Sequence, residues 1–286
     1  MTELERQQKL DGLKSTNQKF LEREQKITED PTIQFKSMTG LELLNYECSL
    51  EPFITDTILD DMVDLYTNSI VTIIGSTGMG KSLLMLHLAV RMTKLHKVLY
   101  FSHENDTITD KRRLEKCILE YDKSNYNLNN FEYINVFESK LDPLTKLKWS
   151  NELLQAKLEN NTYDVVFFDS IQLEYDNCQQ DDIHRVGSEL YYFFKEMTYK
   201  YKKPIFVSWQ GSRDSNAKTI DNMTASDITG SYSMSTISTE LLFIGRGKEK
   251  EAGRSVKVVK SRNTEGKKKD IQNLELSLRF SVEKVF

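Results

Sequence analysis

The spacing of apolar and polar residues changes its period several times along the 286-residue chain. Over residues 1–30, Leu13, Phe20 and Ile27 recur at seven-residue intervals with Leu10 and Leu21 beside them, and Pro31 closes the segment. A stripe this narrow predicts a charged helix or arm that packs on a larger body or on a neighbouring subunit. The chain is therefore divided into a helical N-terminal arm or linker, residues 1–34, and a main domain, residues 35–286. Residues 52–64 predict a loop and a short helix. From residue 69 onward, short continuous apolar runs alternate with longer segments of helical period. Residues 69–74, 98–102, 131–137, 165–169 and 204–209 predict strands, and residues 81–95, 111–123 and 181–202 predict helices. A further helix starts at Asp142-Pro143, with Leu144, Leu147, Leu154 and Leu158 along one face. This alternation predicts an α/β fold, with a mostly parallel sheet flanked by helices. A polar stretch follows at residues 214–238. Beyond it, residues 240–245, 255–260 and 271–280 predict strands with no helix between them, an antiparallel C-terminal extension.

Composition narrows the class. Hydrophobic residues make up 38% and charged residues 29%, ordinary for a globular protein. No run approaches the ~18 apolar residues a membrane helix needs, so no membrane association is expected. The polar start Met1-Thr2-Glu3-Leu4-Glu5-Arg6 does not read as a secretory signal. Cys48, Cys117 and Cys178 are far apart and lack metal-type spacing. An odd count of thiols suits a reducing interior, so a cytoplasmic location is expected. A net charge of −4 argues against a surface that coats nucleic acid all over. The residues from Arg246 to Lys269 nevertheless hold ten Lys and Arg against three Glu, a local zone suited to meeting phosphates.

The chemistry concentrates in Gly75-Ser76-Thr77-Gly78-Met79-Gly80-Lys81-Ser82, which satisfies G-x-x-x-x-G-K-[ST] in full. Its glycines let the backbone curl so that successive N–H groups face a polyphosphate. The following helix adds its positive end, Lys81 reaches the β- and γ-phosphates, and the Ser82 hydroxyl is placed to bind Mg2+. An apolar strand before the loop and a long helix after it supply the right context. ATP and Mg2+ are the expected cofactors. Asp169 ends the apolar run VVFFD, where an acid in P-loop enzymes holds Mg2+; the alternative is a solvated loop residue. Glu104 lies two residues past the strand VLYFS. There it is a candidate to polarise an attacking water, or else an ordinary surface glutamate.

These motifs resemble those of DnaB-like replicative helicases with a RecA-like core, and RepA-like hexameric helicases share much of the pattern. The strand ending before Glu104 looks like the family segment that carries the catalytic glutamate. VVFFDSIQL (residues 165–173) is similar to the second nucleotide motif. PIFVSWQGSR (residues 204–213) is similar to the third, in which the resemblance makes Gln210 the γ-phosphate sensor, although Trp209, Gly211 and Ser212 depart from the family's usual residues there. Residues 225–228 and 240–245 resemble the segments that touch single-stranded DNA. Val259-Lys260-Ser261-Arg262-Asn263 matches the K-x-R-N pattern. In the family, that lysine and arginine finger reach the nucleotide site of the adjacent subunit. The resemblance implies a hexameric ring of identical subunits that hydrolyses ATP to move along single-stranded DNA in replication. It also implies primase or other replisome proteins as partners, and a short phage or plasmid type, since the primase-binding N-terminal domain of cellular members has no counterpart here.

Residue chemistry supports part of this independently. A lysine and an arginine two apart on a strand share one face, and Arg262 lies far along the chain from the P-loop, which favours service to a neighbour's phosphate; a solvated basic hairpin is the alternative. Arg213 and Lys218, with the polar stretch after them, are the candidate DNA contacts, since such loops meet phosphates without reading sequence; a plain surface loop would look the same. Two further function classes stay open: a RecA/RadA-type recombinase forming filaments, and a nucleotide-gated loader or assembly factor.

Overall fold

A computed structural model describes residues 39–40, 51–119, 123–170, 180–211, 220–224, 232–246, 254–262 and 274–276. All elements below lie in the unit Leu50–Phe286. In chain order they are β1 (Ile70–Gly75), α1 (Lys81–Met92), β2 (Val98–Ser102), α2 (Thr107–Leu119), β3 (Phe131–Asn135), α3 (Pro143–Glu159), β4 (Val165–Asp169), α4 (Gln180–Tyr201), β5 (Ile205–Gln210), α5 (Tyr232–Ile237), β6 (Glu240–Arg246), β7 (Arg254–Ser261) and β8 (Leu274–Leu276). The expected arm over residues 1–34 lies outside the described residues, as do Gln172, Leu173, Arg213, Lys218, residues 225–228 and Asn263.

Among the described residues the strands form one eight-stranded sheet in the order β3-β2-β4-β5-β1-β6-β7-β8. The strands from β3 to β6 are parallel, and β7 and β8 add antiparallel. The fold is thus the expected mostly parallel sheet with an antiparallel C-terminal edge, except that β6 still joins β1 in parallel and the reversal begins at β7. Alternate strand residues feed two apolar layers, as a pleated sheet requires. On one face Ile70, Ile74, Phe101, Phe168, Val207 and Phe243 pack with Leu154 and Leu158 of α3 and with Leu190, Tyr191 and Phe194 of α4. On the other, Val71, Ile73, Tyr100, Phe167 and Phe206 pack with Leu84, Met85, Leu88 and Ala89 of α1 and with Cys117 of α2. Strands buried on both faces explain why these segments read as unbroken apolar runs.

Local signals set the helix ends. The Asp142 side chain accepts from the Thr145 N–H at 3.1 Å, and Pro143 takes the first turn of α3, an N-cap of the expected kind. The α2 helix starts four residues before its expected start, because Asp106 accepts from the Thr109 N–H at 2.6 Å and caps it there. The α1 helix stops three residues early: the Thr93 hydroxyl donates to the Val90 carbonyl at 2.6 Å, and the chain turns toward β2, leaving Leu95 exposed. The polar stretch before β6 holds α5, whose Met234 and Ile237 join Ile220 and Met223 in the core.

Candidate nucleotide site

The P-loop follows β1 at the carboxyl edge of the parallel strands, the edge at which open α/β sheets place ligands. Close approach fixes Gly75: a Cβ there would meet Ile244 Cγ2 at 2.6 Å and the Ile244 carbonyl oxygen at 2.9 Å. At the other end of the loop Gly80 has φ of 93° and leads directly into α1, a conformation that favours glycine. Gln210, the last residue of β5, donates from Nε2 to Thr77 Oγ1 at 3.0 Å, and the Gly211 N–H donates to the Gly75 carbonyl at 3.1 Å. The preceding Trp209 is buried in the core, so strand alternation turns the indole inward and leaves Gln210 at the loop. That places the Trp209 departure from the family pattern in packing.

Asp169 is fully buried at the end of β4. Its Oδ1 accepts from Ser82 Oγ at 3.1 Å and from Ser208 Oγ at 2.7 Å, and its Oδ2 accepts from Tyr100 OH at 2.7 Å. Burial pushes its carboxyl above the usual range; the Ser208 and Tyr100 hydroxyls oppose that, while the charges of Glu104 and Asp110 add to it. Lys81 is also buried and donates from Nζ to the Ser76 carbonyl at 3.3 Å. Burial draws its ammonium below the ordinary lysine range, and Glu104 and Asp169 pull it back up. Glu104 emerges beside Asp169 because β2 and β4 are parallel neighbours with Ser102 opposite Asp169. Its Oε2 accepts from Ser170 Oγ at 2.7 Å.

Sequence reasoning singled out Lys81, Ser82, Asp169, Glu104 and Gln210, and the fold brings them to one edge. It missed the hydroxyls of Tyr100, Ser170 and Ser208, which no spacing announces. Arg254 was counted only within the basic zone, yet its Nε donates to the Met79 carbonyl at 3.2 Å, so β7 touches the P-loop. The donor set fits Mg2+, because a hydroxyl and a carboxylate oxygen 3.1 Å apart beside a phosphate-type loop are the hard ligands this ion takes together with substrate oxygens.

Lys260 and Arg262 are not at this edge. In the β6–β7 pairing Arg254 lies opposite Arg246, while Ser261 lies opposite Glu240, at the start of the parallel strands. Arg262 lies eight residue steps beyond Arg254, roughly 25 Å of extended chain. Lys260 Nζ donates to the carbonyls of Thr236 and Ser238 at 3.2 and 2.9 Å and to that of Ser235, and Arg262 donates to the Thr236 carbonyl. These are the terminal carbonyls of α5, which welcome cations. Burial and the nearby Arg262 charge lower the Lys260 ammonium to about 8, and Glu240 opposes them. Arg262 itself is exposed.

Taken together, fold and loop define a RecA-like P-loop ATPase domain. A family model described as an AAA domain matches residues 56–208, more than half of the chain, and the chain belongs to that family. Among solved structures, the ATPase domain of G40P resembles it with a TM-score of 0.55 at 16% sequence identity, over 79% of this chain and 89% of that one. No curated protein matches the chain. Among the described residues no helix is long and apolar enough to cross a membrane.

Proposed function

We propose that the protein is an ATP-driven DNA helicase or translocase of the replicative kind, acting in the cytoplasm on single-stranded DNA as a six-membered ring of identical subunits. Residues 1–34 serve as an arm and residues 35–286 as the motor domain. Arg213 and Lys218 are its DNA contacts, and replisome proteins such as primase are candidate partners. One observation carries the reading: Lys260 and Arg262 are held at the end of the sheet opposite the P-loop of their own chain, so they serve a nucleotide held by another copy.

In this reading the P-loop amides of residues 75–80 and Lys81 hold the β- and γ-phosphates. Ser82 and Asp169 would hold Mg2+, which would supply charge neutralisation for the phosphates when bound. Glu104 takes the proton of the water whose oxygen bonds to the γ-phosphorus, and the bond from that phosphorus to the β–γ bridging oxygen breaks. Gln210 relays the state of the γ-phosphate through Thr77 to β5. A neighbour's Arg262 meets the charge that develops in the transition state, with Lys260 beside it, which is binding that differs between ground and transition states.

The test is ATP turnover with and without single-stranded DNA, alongside negative-stain imaging with a non-hydrolysable analogue. Rings and DNA-stimulated turnover are the expected results. Filaments on DNA would instead assign a recombinase, and small oligomers indifferent to DNA would assign a nucleotide-gated loader.

A further inference from the structure

Ser170 follows Asp169 directly and is 1% exposed. Its hydroxyl donates to Glu104 Oε2 at 2.7 Å. The contact follows from the register. Ser102 and Asp169 are paired across β2 and β4, so the residues just beyond each strand leave the sheet side by side. The His103 N–H also donates to the Asp169 carbonyl at 2.6 Å, which ties the two exits together ahead of both side chains.

A glutamate carries three side-chain torsions, and a half-buried one is not fixed by packing alone. A base acts only within about 3 Å of the proton it takes, and small misplacements are costly in rate. One hydroxyl bond to Oε2 removes much of that freedom and leaves Oε1 to receive the proton. Alanine at position 170 has no donor, whereas serine is small enough for a site closed to solvent and still supplies one.

We propose that Ser170 is a positioning residue for Glu104: it holds the carboxylate in the orientation from which the attacking water is deprotonated. The inference rests on the reading of Glu104 as the base. It also ties Asp169 and the base into one unit, since consecutive residues of β4 and its exit would hold the ion and aim the glutamate.

The experiment is a double-mutant cycle on the full chain, read as steady-state ATP turnover with single-stranded DNA, for wild type, Ser170→Ala, Glu104→Ala and the double variant. Thermal melts confirm that each variant is folded; Ser170→Ala removes a single oxygen. The expected result is a kcat about tenfold lower in Ser170→Ala with KM within twofold of wild type, because orientation is lost and nucleotide binding is not. In the Glu104→Ala background the same change costs nothing further. A Ser170→Ala kcat within twofold of wild type overturns the proposal. So does a rise in KM that accounts for the loss, or an equal drop in kcat without Glu104, either of which assigns Ser170 another task. A fully active Glu104→Ala would instead remove the base assignment, and that outcome is separate from the other three.

Discussion

At the carboxyl end of the parallel strands a buried acid is surrounded by donors: Ser82, Ser208 and Tyr100 all donate to Asp169, and Ser170 donates to Glu104 beside it. At the opposite end the basic pair Lys260 and Arg262 is seated on the last carbonyls of α5, and Arg262 is open to solvent. At the first end Asp169 and Glu104 accept from donors of their own chain, and the P-loop is braced by Gln210 and Arg254. The second offers a rigidly based cation to something outside the chain. An arginine supported in this way retains donors for a second acceptor, since a guanidinium has five N–H groups. On the proposed function, this contrast is that of a motor whose binding half and stabilising half are carried by different copies.

Three substitutions sharpen this contrast. The largest effect of the three is expected at the carboxyl end of the parallel strands. Glu104→Gln keeps size and shape but removes the base, so turnover should fall by about 10²–10⁴-fold while nucleotide binding persists. Rapid-quench ATPase assays with a fluorescent-nucleotide titration measure both, and full activity would exclude Glu104 as the base.

The next effect concerns pH and the other end. Glu240 is buried beside the basic pair, and its carboxyl is pushed up to about 7, chiefly by burial and further by Asp64, against the Ser261 hydroxyl, the Arg262 N–H and Lys260. A carboxyl whose folded pKa exceeds its unfolded one binds protons more tightly in the native state. Its contribution to stability is full below about 4.5 and is lost as pH rises through about 7. Glu240→Gln lacks this titration. Between pH 5 and pH 8 the wild type should therefore lose about 2–3 kcal/mol relative to the variant, measured by urea denaturation at both pH values. Parallel curves would show that Glu240 ionises freely.

The smallest effect is at Tyr100. Tyr100→Phe keeps the ring but leaves Asp169 Oδ2 without the donor it has now. A lost hydrogen bond to a buried charged group costs about 2 kcal/mol, which would lower the urea midpoint at pH 7. An unchanged midpoint would mean that Ser82 and Ser208 hold the acid alone.

Which parts of this were legible in the sequence follows from how local their causes are. The run VVFFD was bounded correctly at both ends, because a strand buried on two faces writes itself as continuous apolar residues. Asp142-Pro143 marked the start of α3 because a cap is a short-range contact. Asp106 went unread as a cap because it stands among polar residues just after Glu104. The α5 helix was hidden because Met234 and Ile237 are sparse among serines and threonines, and only tertiary burial selects them. The P-loop, Asp169 and Glu104 were accessible as motifs. The hydroxyls that brace them were not, since Tyr100, Ser170 and Ser208 converge from different strands and their role exists only once the sheet order is known. The position of Arg262 at the far edge likewise follows from strand pairing, which its spacing from the P-loop does not encode.

The central claim is that the basic pair acts on a neighbour's nucleotide, and subunit mixing tests it most directly. Arg262→Ala subunits keep Lys81, and Lys81→Ala subunits keep Arg262, so neither alone should turn over ATP. An arginine finger contributes about 10³–10⁵-fold in rate. Mixed oligomers contain interfaces with an intact Lys81 beside an intact Arg262, and the account predicts that ATPase returns in proportion to those interfaces. If mixed oligomers form, as shown by co-purification of differently tagged subunits, and turnover stays at the level of either variant alone, the claim that Arg262 completes the adjacent subunit's site is contradicted.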